Sequence, residues 1–236
     1  MKTPLAAVTV CFTLLMGATA ARAATIYDGS LTAKQIPSQQ GWLYNATANP
    51  SPPAITATGN GISFDTGSSS NYAGLFKRSP VLLDRNVGYT ISFSLKLNSA
   101  TQTHDPTNRV SLIVMSNLLP GETQPYGIEL SFWDNSIWAQ DVGFIPSEGI
   151  AFNTAAAVRS YVLKIQGNQY QLLTSNLAPP IMQGSLRQYP GFILPAAYQL
   201  NPYTTPNLVF IGDNTPAASS NMTITRVSAS QIVQVQ

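Results

Sequence analysis

Apolar and polar residues alternate with a period of two along most of this chain. In the segment 89–97 every odd-numbered position is apolar, whereas the even-numbered positions carry Thr, Ser or Lys. This alternation predicts a half-buried β-strand, because successive side chains of a strand point to opposite faces. The runs 109–115 and 208–211 are largely apolar on both faces and predict central strands. No apolar stripe has helical spacing, although the alanine-rich segment 150–158 allows a turn or two of helix.

Two dipeptides predict tight hairpins. Gly167-Asn168 suits the positive φ angles of a two-residue turn, which would place Ile165 opposite Tyr170 and Leu163 opposite Leu172. Both pairs are apolar, so the two strands agree on which face is buried.

The second hairpin joins 126–133 to 136–141 through Asp134-Asn135. A two-residue turn places Phe132 opposite Ile137 and Leu130 opposite Ala139 on the core side. The other, solvent-directed face of this ribbon then combines indole, carboxylate, hydroxyl and amide groups. Its members are Glu129, Ser131, Trp133, Trp138 and Gln140.

Many short strands separated by turn signals favour an all-β fold, a two-sheet antiparallel β-sandwich. The segment 178–206 contains six prolines, which cannot donate to a sheet ladder, so it is predicted to be a long loop or an edge segment. Nothing divides the chain further, and a single domain over residues 24–236 is expected.

Residues 1–23 predict a secretory signal peptide. Lys2 provides the positive start, 5–16 the apolar centre, and Ala21-Arg22-Ala23 a cleavage site of the A-x-A type. We therefore expect a secreted protein at the extracellular side or the cell surface, or in the periplasm, that does not span a membrane after cleavage.

Composition narrows the function classes. The single cysteine, Cys11, lies within the signal, so neither a disulfide nor a thiolate site is expected in the mature chain. Without Lys2 and Arg22 the basic and acidic residues balance, and no basic cluster extends beyond Lys77-Arg78. Nucleic acid is therefore not an expected partner.

Three groups of segments carry a resemblance to a known family: 79–84 with 88–93, 161–165 with 167–170, and 206–215 with 224–227. They resemble the early strands, the middle hairpin and the closing strands of bacterial laminin-G-like domains in the concanavalin A-like jelly-roll superfamily. The resemblance spans about residues 25 to 227 and implies a jelly roll. Some relatives are exported surface proteins of the "choice-of-anchor" type, whose sorting tail has no counterpart in 228–236, so covalent attachment is not expected.

A hydrolase is not expected. Glycosidases of this superfamily carry an E-x-D-x-E cluster on one strand, whereas 127–133 holds only Glu129. Two carboxylates must flank the bond that is cleaved, and Glu122 or Glu148 remains as an alternative partner from a loop. The single histidine, His104, lies in a polar segment and lacks companion ligands, which favours a solvated loop residue over a zinc ligand or a triad member.

Asp213 and Asn214 are weak candidates for a calcium site, since Ca²⁺ binds carboxylate and amide oxygens. The sequence Gly212-Asp213-Asn214 is equally ordinary turn chemistry, and no other cofactor is implied. Two sequons begin at Asn45 and Asn221 and matter only where the source glycosylates them.

The face with Trp133 and Trp138 is the predicted ligand site. Indole rings stack on sugars, and Glu129, Ser131 and Gln140 suit the hydroxyl rim, so the predicted function is non-catalytic binding of a polysaccharide or another cell-surface or matrix component. Two alternatives stay open. The indoles pack beneath the aromatic-rich segment 189–203, or the chain is an exported structural or adhesion module without a small-ligand site.

Overall fold

The computed structural model describes residues 23–46, 54–66, 73–100, 110–176, 179–189, 200–214 and 220–232. Almost all regular structure in these ranges is β. The strands are β1 (Ala23–Asp28), β2 (Leu43–Ala46), β3 (Ala54–Ala57), β4 (Ile62–Asp65), β5 (Ala73–Arg78), β6 (Tyr89–Ala100), β7 (Val110–Met115), β8 (Gly127–Phe132), β9 (Ser136–Gln140), β10 (Pro146–Ala151), β11 (Arg159–Gln166), β12 (Gln169–Leu173), β13 (Met182–Ser185), β14 (Leu208–Asp213) and β15 (Ser220–Gln231). Two short 3₁₀ turns, Thr32–Lys34 and Pro37–Gln40, follow β1.

The strands form two antiparallel sheets. The larger sheet has the order β13-β12-β11-β6-β15-β4-β3, and β1 pairs with β15 alongside it. The smaller sheet has the order β10-β9-β8-β7-β14-β5-β2. Inward residues of both sheets meet in one core, in which Phe93 stacks on Tyr161 at 5.1 Å and packs edge-on against Phe132 at 6.0 Å. The predicted all-β antiparallel sandwich of the jelly-roll type is confirmed.

Both predicted hairpin registers are confirmed. Ile165 pairs with Tyr170 and Leu163 with Leu172 across the turn at Gly167, where φ is +57°. In the second hairpin Leu130 pairs with Ala139 and Phe132 with Ile137.

Two local predictions were wrong. The segment 79–84 is irregular rather than a strand, because the amides of Ser79 and Leu83 bond to the carbonyl and the side chain of Asn207 instead of a neighbouring strand. The segment 150–158 contains no helix. It begins within β10, and the amides of Phe152 and Thr154 then bond to carbonyls of the β8–β9 turn.

Residues 1–22 and His104 lie outside the described residues, so the signal peptide remains a prediction. Among the residues that the structure does describe, no helix has the length and hydropathy that crossing a bilayer requires.

Candidate functional site

The β8–β9 ribbon is oriented as its sequence predicts. Ser131 pairs with Trp138, and both side chains point away from the core between the sheets. The rings of Trp133 and Trp138 meet edge-on with centroids 4.4 Å apart, and the indole nitrogen of Trp138 donates a 3.0 Å hydrogen bond to Oε1 of Gln140. The predicted side chains therefore do share one face.

That face is covered rather than open to solvent. Glu129, Ser131 and Gln140 have no exposed surface, and Trp138 is 5% exposed, whereas Trp133 is half-buried. The predicted solvent-directed orientation is thus corrected for these four buried residues. Tyr189 and Tyr203, the described ends of the aromatic-rich segment, contact Glu129, as the alternative that the sequence left open proposed for the indoles. The cover belongs to a second apolar cluster on the outside of the smaller sheet. Its members are Phe76, Ile113, Met115, Tyr189, Tyr203, Leu208 and Phe210, with Phe144 and Leu200 packed against them.

Tyr189 is joined to the ribbon through its hydroxyl group. The amide of Glu129 donates to this oxygen at 3.0 Å, and the hydroxyl donates in turn to the carbonyl of Gln140 at 2.9 Å. Glu129 and Gln140 form the next pair in the register of β8 and β9, so the hydroxyl bridges the two strands where a direct ladder bond would be expected. Burial raises the pKa of Tyr189 well above its ordinary value, and the nearby Glu129 carboxylate adds to the shift, so the hydroxyl stays protonated and can donate.

The Glu129 carboxylate is held by hydroxyl donors on both oxygens. Ser111 donates to Oε1 at 2.5 Å and Tyr203 to Oε2 at 2.6 Å, and the amide of Asn214 donates to the Tyr203 oxygen at 2.6 Å. A buried carboxylate requires such donors, because burial without hydrogen bonds is costly. In this arrangement Glu129 anchors the segment around Tyr203 to the sheet.

The other two glutamates are paired with arginines. Glu122 binds the guanidinium of Arg85 through both oxygens, and Asn168 accepts from Nε of Arg85 at 2.7 Å. Glu148 pairs with Arg187, whose Nε also lies 3.1 Å from Asp141. Neither glutamate is placed as a free carboxylate beside Glu129, which was the arrangement that the hydrolase alternative required.

The calcium candidates are buried at the end of β14. Asp213 has no exposed surface, and Asn214 turns its amide nitrogen toward Tyr203. No group of three or more acidic, histidine or cysteine side chains suited to a metal ion occurs within the described ranges. The sequon residue Asn221 is engaged on the outer face of the larger sheet, where its amide donates to Asp65 at 3.1 Å.

Sequence reasoning missed an open basin of about 510 Å³ at the tip of the same ribbon. It is bordered by Asp134, Asn135, Ala151, Phe152, Asn153 and Ala155. Backbone hydrogen bonds hold its two halves together: the amides of Phe152 and Thr154 donate to the carbonyls of Asn135 and Asp134, at 2.9 and 3.0 Å. Asp134 by itself is an ordinary turn residue, and the two halves become neighbours only because β10 pairs with β9, a hairpin that the sequence did not predict.

The basin offers both polar and apolar contacts. Within the described part of the chain, the exposed side chains of Asp134 and Asn135 make no hydrogen bond or ion pair. The Oδ1 atom of Asn153 accepts a hydrogen bond from the backbone amide of Ala155 at 3.1 Å, so the side-chain NH₂ group of Asn153 points away from Ala155. The half-buried ring of Phe152, with the guanidinium of Arg159 5.1 Å from its centroid, forms an apolar wall.

Comparison with known proteins supports the class of fold. No family model matches the chain, and no curated protein sequence is significantly similar to it. Among solved structures, a protein described as a conserved carbohydrate esterase of the Shiga toxin-encoding bacteriophage phi24B is 11% identical. The match covers 90% of this chain and 100% of that one, with a TM-score of 0.58. The chain therefore shares the fold of that structure, and at this identity the similarity extends to the fold alone.

Two further solved structures are more distant. Alginate lyase A1-II', a member of polysaccharide lyase family 7, is 11% identical over 81% of this chain and 95% of its own, with a TM-score of 0.47. The exoplasmic/lumenal domain of VIP36, solved with Ca²⁺ and Man₃GlcNAc bound, is 12% identical over 83% of this chain and 85% of its own, with a TM-score of 0.43.

Proposed function

We propose that this chain is an exported, non-catalytic jelly-roll protein that binds a neutral carbohydrate at the tip of the β8–β9 ribbon. The observation that carries the proposal is the basin itself. It places a free carboxylate and the amides of Asn135 and Asn153 around a volume of sugar size, beside the ring of Phe152. Sugar hydroxyls pair with carboxylate and amide groups, and the C–H faces of sugars contact aromatic carbon.

We also propose that the chain is a member of the laminin-G-like, choice-of-anchor group and that residues 1–23 direct its export. The absence of catalysis is proposed because each glutamate of the described chain is held in a structural contact. Glu129 is held by Tyr203, Glu122 by Arg85 and Glu148 by Arg187. The phage protein of the same fold is described as a carbohydrate esterase, which agrees with the ligand class.

The tip is proposed in preference to the ribbon face that the sequence favoured. On that face Glu129 and Gln140 are fully buried beneath Tyr189 and Tyr203, so a sugar would have to displace packed aromatic residues. Trp133, half-buried and directly before Asp134, is the member of the predicted set that lies next to the tip.

The test is binding of the mature protein to a panel of neutral polysaccharides, followed by titration with the oligosaccharide that binds. Asp134→Ala should weaken binding by roughly ten- to a hundredfold, the equivalent of one hydrogen bond to a charged group, about 1.5–3 kcal/mol. The matched control is Asn60→Ala, an exposed residue of the β3–β4 turn.

A second variant distinguishes a binding site at the ribbon tip from one on the ribbon face. Glu129→Gln, checked for an intact fold by its circular dichroism, should leave the affinity unchanged. Binding that survives Asp134→Ala but is lost in Glu129→Gln would move the site to the ribbon face. No retention on any neutral glycan would overturn the proposal.

A further inference from the structure

A trough lies on the outer face of the larger sheet, on the opposite side of the molecule from the second apolar cluster, which covers the smaller sheet. Strands β6, β11 and β15 run side by side there, so Ser94 is in register with both Ser160 and Arg226. The trough measures about 420 Å³, within the range typical of small-ligand sites. Its lining is mostly hydroxyl-bearing: Ser92, Ser94, Ser160, Ser228, Thr174 and Ser175, with Asn176 and Arg226.

The floor of this trough is polar. The hydroxyls of Ser94 and Ser160 are hydrogen-bonded at 2.9 Å, and two strand repeats further on, beyond the lining, Thr90 is bonded to Ser230 at 2.7 Å. Hydroxyl groups both donate and accept, and so do the hydroxyls of a saccharide. A sugar lying on this floor would meet partners of either polarity.

Three cations surround the trough. Lys96 follows Ser94 by two residues on β6, and Lys164 follows Val162 by two residues on β11, so each begins roughly 7 Å from the trough along its strand. Arg226 belongs to the lining itself. Neither lysine forms an ion pair within the described ranges. Asp28 is in register with Arg226, and Asp65 on β4 points to the same outer face, so three positive charges meet two carboxylates there.

This local excess of positive charge is unusual for the chain, because its basic and acidic residues balance once Lys2 and Arg22 are set aside. A small polar site with an excess of cations favours a ligand that carries both hydroxyl groups and negative charge. Nucleic acid fits poorly, because single-stranded binding sites rely on exposed aromatic rings. Phe93 and Tyr161 border the trough, but their rings stack on each other inside the core.

We propose that the trough binds an acidic saccharide, a sugar ring that carries a carboxylate or a sulfate group. Arg226 holds the charged group of the ring in the trough, and the serine hydroxyls hold the ring itself. Lys96 and Lys164 lie at opposite ends of the trough, roughly 20 Å apart along the strands, and attract the charges on neighbouring rings of the same saccharide chain. The proposal is independent of the neutral-sugar basin, which lies at the tip of a ribbon in the other sheet and carries a carboxylate.

The experiment uses the mature protein with four probes at low and at physiological salt. Sodium polygalacturonate supplies carboxylates and dextran sulfate supplies sulfates, while uncharged dextran and polyglutamate separate the contributions of sugar and charge. At least one of the acidic polysaccharides should bind more tightly than both dextran and polyglutamate, and the preferred one identifies the charged group. Equal binding of polyglutamate and the acidic polysaccharides would overturn the proposal, because it would show attraction to any polyanion.

Two variants locate the site. Lys96→Gln with Lys164→Gln should weaken binding at least tenfold, whereas the control Lys34→Gln with Arg78→Gln removes the same charge elsewhere and should have little effect. Ser92→Tyr fills the trough without changing the charge and should also abolish binding, while Asp134→Ala should not affect it. Equal losses in the charge-matched pairs, or full binding by Ser92→Tyr, would refute the assignment.

Discussion

The Tyr203 hydroxyl donates a 2.6 Å hydrogen bond to Oε2 of Glu129, and neither side chain is exposed. The bond connects the segment after residue 200 to the centre of the smaller sheet. A buried carboxylate is costly unless its oxygens have donors, so this contact bears directly on stability.

Tyr203→Phe should lower the free energy of unfolding by about 1–3 kcal/mol, because it removes a donor from Glu129 and an acceptor from Asn214. Chemical denaturation measures the change. Tyr161→Phe is the matched control, since the buried hydroxyl of Tyr161 has no hydrogen-bond partner within the described structure, and its loss should cost nothing. Equal destabilisation of the two variants would show that the bond to Glu129 contributes nothing specific.

Tyr189→Phe should open the ladder between β8 and β9. The amide of Glu129 then loses its acceptor, and the carbonyl of Gln140 loses its donor. Amide hydrogen exchange at Glu129 should accelerate at least tenfold, while exchange in the β11–β12 hairpin follows only the global stability. Unchanged protection at Glu129 would mean that the strands close without the bridge.

The ion pair between Arg85 and Glu122 predicts a dependence of stability on pH. The hydrogen bond from Arg85 holds the pKa of Glu122 below its ordinary value of 4.5. A lowered pKa stabilises the fold above pH 4.5, and this contribution is lost as the pH falls through the lowered value. Glu122→Gln should therefore be less stable at pH 7, by about 1–2 kcal/mol, because Arg85 is buried but Glu122 is partly exposed.

The difference from the wild-type chain should shrink below pH 4.5, which thermal melts over pH 3–7 can follow. The double variant Arg85→Met with Glu122→Gln is the control: its stability should differ from that of Glu122→Gln by the same amount at every pH, because neither variant contains the titrating carboxyl group. A constant gap for Glu122→Gln across the range would contradict the assignment.

Gly74→Ala should destabilise the smaller sheet. A Cβ atom at this position would collide with the ring of Phe210 on the neighbouring strand β14. Overpacking of this kind costs about 1–3 kcal/mol, measurable by denaturation. Gly143→Ala is the control, because a Cβ there meets no atom within 4 Å. A neutral result at Gly74 would show that the ring moves aside.

The alternation of residue types was sufficient to predict the sandwich and the pairing of both hairpins. A strand alternates its faces every residue, so a two-residue turn determines every pair that follows, as in Leu163 with Leu172 and Leu130 with Ala139. The same rule placed Glu129, Ser131 and Trp138 together on one face. These are local consequences of chain geometry, and they need no knowledge of the rest of the molecule.

The tertiary structure decided what covers each face. A period of two distinguishes the two faces of a ribbon, but it does not show whether water or a distant segment covers each face. It therefore could not show that Tyr189 and Tyr203 bury Glu129. Nor could it bring the serines of β6, β11 and β15 together in one trough. These groupings arise when strands far apart in the chain become neighbours, because side-chain contacts depend on distance in space and not along the sequence.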